Sequence, residues 1–253
     1  MNGFETIIYE KTDGIASVTL NRPQVLNRYN IKMRDEMFEV LSAIQDDHDV
    51  RVVVFKGAGE RAFCVGADLT EFGTAPSPLV ARQVRWERDV WGLFASMKQP
   101  LIAAIHGYAL GSGTEIALFC DIRIASDDAV FGLPEVSLGM IPAAGGSQTL
   151  PRMVGRSRAL QLLLCCDRID AQEALRIGLA NRAVKRAELL TVAYGIADGI
   201  RSCNHTAVRC AKEAVKRGLD LPQEEGLALE RRLAESLGLL NRGISSLETR
   251  EFV

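Results

Sequence analysis

"PLIAAIHGYALGSGTEIALFCDIRIAS", residues 100–126, reads as strand, glycine-rich turn, short buried helix, strand. The run Leu101–Ile105 is apolar without alternation, as a strand covered on both faces must be. Three glycines, Gly107, Gly111 and Gly113, and Ser112 then make a turn. "TEIALFC" continues as an apolar helix that carries one carboxylate, Glu115, and "DIRIAS" returns as a strand. Strands alternating with helices call for crossover connections, hence a mainly parallel sheet with helices outside it.

The flanks extend the pattern. "FETIIYEK" and "GIASVTLNR", separated by Thr12, Asp13 and Gly14, form a hairpin signal. In "IKMRDEMFEVLSAIQDD" the residues Met33, Met37, Val40, Leu41 and Ile44 share one helical face. "VRVVVFKG" is a β-branched run suited to the interior of a parallel sheet. A segment with Gly73, Pro76 and Pro78 leads to a predicted helix over residues 79–98, carrying Trp86 and Trp91. From about residue 145 the reading is helical, and the last three helices have no strand to pair with. Such helices must bury their apolar stripes on the core or on another subunit. The predicted organisation is a core over 1–190 and a helical region over 191–253.

The bulk composition excludes several classes. The chain has 253 residues, 47% hydrophobic and 25% charged, which suits a globular protein with a sizeable core. With 30 basic against 32 acidic residues there is no basic excess to attract nucleic acid. No apolar run approaches the roughly 20 residues needed to span a bilayer, and "MNGFETIIYEK" lacks a signal peptide's features. The expectation is a cytoplasmic protein without nucleic-acid or membrane partners. Its six cysteines contain no C-x-x-C pair and are read as reduced, small hydrophobic residues. His48, His106 and His205 show no ligand spacing.

The glycine-rich turn is not a nucleotide site, because its spacing fits neither G-x-G-x-x-G nor a P-loop. Ser112 to Glu115 matches the S-x-x-E capping box, which would let a carboxylate sit at the start of an apolar helix by bonding back to a backbone N–H. A second turn lies in "FCVGADLTEF", residues 63–72. Peptide N–H groups from two such neighbouring turns, one at a helix N-terminus, could hold a developing oxyanion. "FGLPEVSLGMIPAAGGSQTL" supplies another carboxylate, Glu135, which on its own reads as a loop surface residue.

"LNRPQVLNRYN", "AFCVGADL", "KQPLIAAIHGYALGSGTEIALFCDIRIASDDAVFGLPEVSLGMIPAAGGSQTLPRMVG" and "DRIDAQEALRIGLANRAV" follow one another in order. Together they strongly resemble the enoyl-CoA hydratase/isomerase (crotonase) superfamily, over residue 4 to about residue 190. The resemblance implies an α/β fold, a spiral of ββα repeats with a C-terminal helical trimerisation region, in a homotrimer or a dimer of trimers. It implies an acyl-CoA thioester substrate, with coenzyme A entering as part of that substrate and no separate cofactor or metal. By motif position the oxyanion donors are the N–H groups of Ala67 and Ser112. The two glutamates of hydrating members match Glu115, as base toward water, and Glu135, as acid toward Cα. Substrate and CoA contacts fall on Cys64, Val65, Gly66, Ala67, Asp68, Gly111 and Arg28. The implied reaction is hydration of a 2-enoyl-CoA.

The chain departs from the family pattern at several positions. Serine stands at 112 where glycine is usual, Arg28 and Val65 replace smaller residues, and Ala143 and Thr149 replace a glycine and an arginine. None of these alters the two glutamates. Trp86 and Trp91 read equally as acyl-pocket lining or as helix-packing residues. Asp68 reads as a turn residue rather than a third acid. The competing readings are double-bond isomerisation or another thioester-enolate reaction on the same fold, and a non-catalytic, RNA-binding role. A local basic patch such as Arg82, Arg85 and Arg88 would suit the latter, and it reads most simply as a solvated helix face.

Overall fold

A computed structural model describes residues 3–238 of the chain. Residues 239–253, part of the expected helical region, lie outside the described residues. Two sheets share the strands. The first contains β1 (Ile7–Thr12), β2 (Ile15–Leu20) and β3 (Val52–Gly57). β4 (Ala62–Cys64) opens the second sheet, and β5 (Leu101–Ile105) returns to the first. β6 (Tyr108–Leu110), β7 (Ile122–Ser126) and β8 (Val130–Gly132) continue this exchange, followed by β9 (Arg168–Asp170) and β10 (Arg182–Val184). The six-stranded sheet has the order β1-β2-β3-β5-β7-β10 and the four-stranded sheet β4-β6-β8-β9. From β3 to β8 consecutive strands therefore come in pairs, one for each sheet, and each pair stacks parallel to the one before, while β1 and β9 add antiparallel at one edge of each sheet. This is the expected spiral.

Local chemistry accounts for the elements. The β1–β2 hairpin turns at Asp13 and Gly14, both with positive φ, as a two-residue loop between twisted strands requires. Helix α1 (Ile31–Asp46) starts at Asn30, whose side chain accepts the Met33 N–H, and buries Met33, Met37, Val40, Leu41 and Ile44. Along β3, Val53 and Phe55 face the cluster that includes α1, while Val52 and Val54 face the opposite side of the sheet. Burying each such side chain contributes about 1.5–3 kcal/mol before entropy costs. That double coverage explains a β-branched run with no polar alternation.

Some expectations are corrected. The helix read over 79–98 is two helices, α2 (Pro78–Glu87) and α3 (Val90–Ser96). Arg88 closes the first, and Asp89 caps the second by accepting the Gly92 N–H. Trp86 is exposed, with the Arg82 guanidinium 4.8 Å over its ring, so it does not fill helix-packing space. The cysteines are free but not uniformly buried. Cys64 and Cys120 are core residues, whereas Cys165 and Cys203 are exposed.

The remaining helices are α4 (Ser112–Phe119), α5 (Gly146–Val154), α6 (Arg156–Leu164), α7 (Ala171–Arg176) and α8 (Leu189–Ser202). Leu189, Ala193 and Ala197 of α8 cover the Val52 face of the large sheet. The chain to Arg201 forms one compact unit and the chain from Ser202 another. Within the second unit, α9 (His205–Gly218) and α10 (Gln223–Ser236) pack on each other. No described helix is long and apolar enough to cross a membrane.

Candidate active site

The site forms where two strands of the small sheet end side by side. After β4 the chain turns through Val65, Gly66 and Ala67. After β6 it turns at Gly111 into α4. The turns touch through glycines, since a Cβ on Gly66 would lie 3.0 Å from the Leu110 oxygen and 3.5 Å from the Gly111 Cα. At Gly113 the approach is closer still, with an added Cβ only 2.1 Å from the Cys64 oxygen. Any side chain there would drive α4 off β4.

Two peptide groups emerge from this contact with nothing to bind. The Tyr29 N–H donates to the Gly66 oxygen at 2.9 Å, and the Asp68 N–H donates to the Tyr29 oxygen at 2.9 Å. A trans peptide points its C=O and N–H in opposite directions. The Gly66–Ala67 peptide, held by its oxygen toward Tyr29, therefore aims the Ala67 N–H the other way. Ser112 is the first residue of α4, where a helix leaves its N–H unpaired. Among the described residues, neither N–H has an acceptor in the protein.

Glu115 lies one turn into α4 and is 2% exposed. The capping-box reading fails here. Gly111, not Ser112, occupies the N-cap, and Glu115 does not bond back to it. Instead its Oε1 accepts the N–H groups of Ala144 and Gly146, both at 2.9 Å, from the loop that opens α5. A Cβ on Gly146 would come within 3.0 Å of that oxygen, so the small residues of "PAAGG" let the backbone close on the carboxylate. Burial pushes the Glu115 carboxyl up to about 7, with repulsion from Glu135 acting in the same direction. The two N–H donors and the Ser112 hydroxyl oppose this by favouring the charged form.

Glu135 opens a short 3-10 turn, Glu135–Leu138, after Pro134. Its Oε1 lies 3.0 Å from where a Cβ of Gly111 would sit, directly against the turn that presents Ser112. Its Oε2 is buried and, among the described residues, has no hydrogen-bond partner. Burial raises its carboxyl above the ordinary glutamate range. The two acids differ in kind. Glu115 is tethered by donors that suit an anion, while Glu135 keeps one oxygen free to carry a proton.

The other sequence-derived positions divide. Gly66 and Gly111 shape the turns, and Val65 is half-buried beside them. The Cys64 side chain points into the core, where burial pushes its thiol up to about 12, so only its backbone faces the turn. Asp68 is buried and bound to Arg22 and Thr70, consistent with a turn residue. Arg28 is exposed. Trp91 stacks with Phe94 and with Phe119 of α4 and lies 5.6 Å from the Tyr29 ring, so it belongs to an aromatic cluster beside the Glu115 helix. Sequence reasoning missed the Ala144 and Gly146 amides. Their one signal is the run of small residues between Pro142 and Ser147. Among the described residues no three His, Cys, Asp or Glu side chains gather as a metal site requires.

Comparison with known proteins gives concordant results. A family model described as enoyl-CoA hydratase/isomerase matches residues 10–253. The short-chain-enoyl-CoA hydratase of Clostridium acetobutylicum is 42% identical over 224 residues, covering 88% of this chain and 86% of the relative. The crotonyl-CoA hydratase of Syntrophomonas wolfei is 40% identical over 237 residues, covering 93% and 90%. Among solved structures, an enoyl-CoA hydratase from Bacillus anthracis aligns with a TM-score of 0.87 at 38% identity, over 94% of this chain and 92% of that one.

Proposed function

The chain belongs to the enoyl-CoA hydratase/isomerase family, and from that premise we propose that it is a hydro-lyase adding water across the Cα=Cβ bond of a 2-enoyl-CoA thioester. The observation that carries this reading is the pair of unlike carboxylates, Glu115 and Glu135, beside two peptide N–H groups that have no protein acceptor. The thioester oxygen accepts from the Ala67 and Ser112 N–H groups. Glu115, ionised, takes a proton from water as the water oxygen bonds to Cβ. The Cα=Cβ electron pair moves toward the thioester, and the resulting enolate is stabilised by the two donors. Each donor is worth about a hundredfold to a thousandfold in rate. Glu135 then delivers its proton to Cα. The proton left on Glu115 and the vacancy on Glu135 equalise through solvent, and the reverse sequence dehydrates a 3-hydroxyacyl-CoA. No redox or metal step is needed, and coenzyme A enters as part of the substrate, through contacts at residues 64–68, Gly111 and Arg28.

We extend the proposal to assembly and location. Val215 on α9, Leu219 just after it and Leu227 on α10 are exposed apolar residues, which supports association through this region as a homotrimer or a dimer of trimers. Six free cysteines support a cytoplasmic, reducing setting.

The test mixes purified protein with trans-2-butenoyl-CoA and longer 2-enoyl thioesters, follows loss of the conjugated absorbance and weighs the product. Gain of one water is expected, with turnover lost in Glu135→Gln. A product of unchanged mass would replace hydration with isomerisation, and inactivity toward every enoyl thioester would end the reading.

A further inference from the structure

Behind the Ala67 amide lies a second chain of contacts that the reaction as described does not use. The Arg22 guanidinium donates through Nη1 to the Arg28 oxygen at 2.8 Å and to Asp68 Oδ2 at 3.1 Å. The Arg28 oxygen belongs to the same peptide as the Tyr29 N–H, which donates to the Gly66 oxygen at 2.9 Å. That oxygen in turn shares a peptide with the Ala67 N–H. We infer that Arg22 is a positioning residue for the reaction, orienting and polarising the Ala67 N–H through two hydrogen-bonded peptide groups. The inference rests on the reading of Ala67 as an oxyanion donor.

Each link has a physical reason. Peptide planarity makes every plane in the relay turn as a unit, so holding the Arg28 oxygen directs the Tyr29 N–H and thereby the Ala67 N–H. Hydrogen bonds in series also polarise one another, by about 10–30% per bond. A cation at the acceptor end draws electron density away from the far donor, which is the direction an oxyanion needs. The anchor is firm. Asp68, almost fully buried, holds Arg22 and is itself held by the Thr70 hydroxyl at 2.8 Å. The Arg22 N–H donates to Asn27 Oδ1, and the buried Asn27 amide donates to the Ala58 and Ala62 oxygens, all at 2.9 Å. The 22–29 segment is thus fixed to the base of β4, and the Gly66–Ala67 peptide, next to a glycine at φ +96°, is the part that needs holding.

The experiment compares wild type with Arg22→Gln, which carries no charge and ends short of the Arg28 oxygen, and with Arg22→Lys, which restores the charge on a longer stem. Difference infrared spectra of bound butyryl-CoA labelled at the thioester carbonyl report the strength of the donors directly, and steady-state rates separate kcat from KM. Arg22→Gln should show a smaller downshift of the carbonyl stretch and a kcat lower by about tenfold, with KM changed less than about threefold. Arg22→Lys should recover most of both. An Arg22→Gln protein with the wild-type carbonyl frequency, or with its loss confined to KM, overturns the inference. Should Arg22→Gln fail to fold, Asp68→Asn loosens the same guanidinium, and an unshifted carbonyl there overturns it equally. If wild type itself shows no downshift, the assignment of Ala67 as a donor has failed, which is a different result from a wild-type shift that the variants leave intact.

Discussion

Glu115→Gln separates what the buried carboxylate costs from what it does. The carboxyl is 2% exposed, and its pKa is raised from 4.5 to about 7, first by burial. Between those two values the folded protein holds a proton that the unfolded chain has released, so stability falls as pH rises through the interval. At 1.36 kcal/mol for each unit of pKa, the loss amounts to about 3 kcal/mol and is complete above pH 7. Glutamine has nearly the same shape, keeps an oxygen for the Ala144 and Gly146 N–H groups, and does not titrate. The stability of the variant relative to wild type should therefore grow by about 3 kcal/mol between mildly acidic and mildly alkaline buffer. For a chain of this size that is about 6–12 °C in Tm. Thermal melts at one fixed protein concentration, from about pH 5 to about pH 8, read the difference while holding association constant. Turnover of the same variant should fall by about a hundredfold or more, the usual worth of a general base. A stability difference that stays flat across this range would refute the burial argument, and full turnover would refute the base.

The same ionisation shapes the rate. The value of kcat/KM should rise with pH as Glu115 loses its proton near 7; initial rates across pH check this, and a profile without the acid limb counts against Glu115 as the base. Gly113→Ala places a methyl 2.1 Å from the Cys64 oxygen, so it should destabilise the fold by about 1–3 kcal/mol in a denaturation curve and lower kcat by displacing the Ser112 N–H.

Elements with long, strong periodicity were legible from the residues alone. The helix at Ile31–Asp46 buries the five positions its spacing marks, and the apolar runs at residues 52–57, 101–105 and 122–126 are neighbouring parallel strands of one sheet. The small sheet was not legible, because strands of three residues such as Ala62–Cys64 and Tyr108–Leu110 are too short to display a period of two. The break at Asp89 hid inside a helical pattern, although an aspartate three residues before Gly92 is itself a cap signal. Glu115 shows the deeper limit. Its local sequence fits a capping box, yet its partners lie 29 and 31 residues further along the chain, and no local rule could choose between these fates. Only the resemblance carried by several motifs together pointed to both carboxylates, where spacing alone left them ambiguous.

The glycine contact between the two turns has a consequence for how such a protein can change. Because main chain rests on main chain at Gly66, Gly111 and Gly113, the separation of the two amides is insulated from the neighbouring side chains. Bulk can be added or removed at Val65, or a hydroxyl placed at residue 112, without prying the donors apart. Under the proposed function, preference for one acyl group over another can therefore drift over evolutionary time while the electrostatics of the chemical step stay constant.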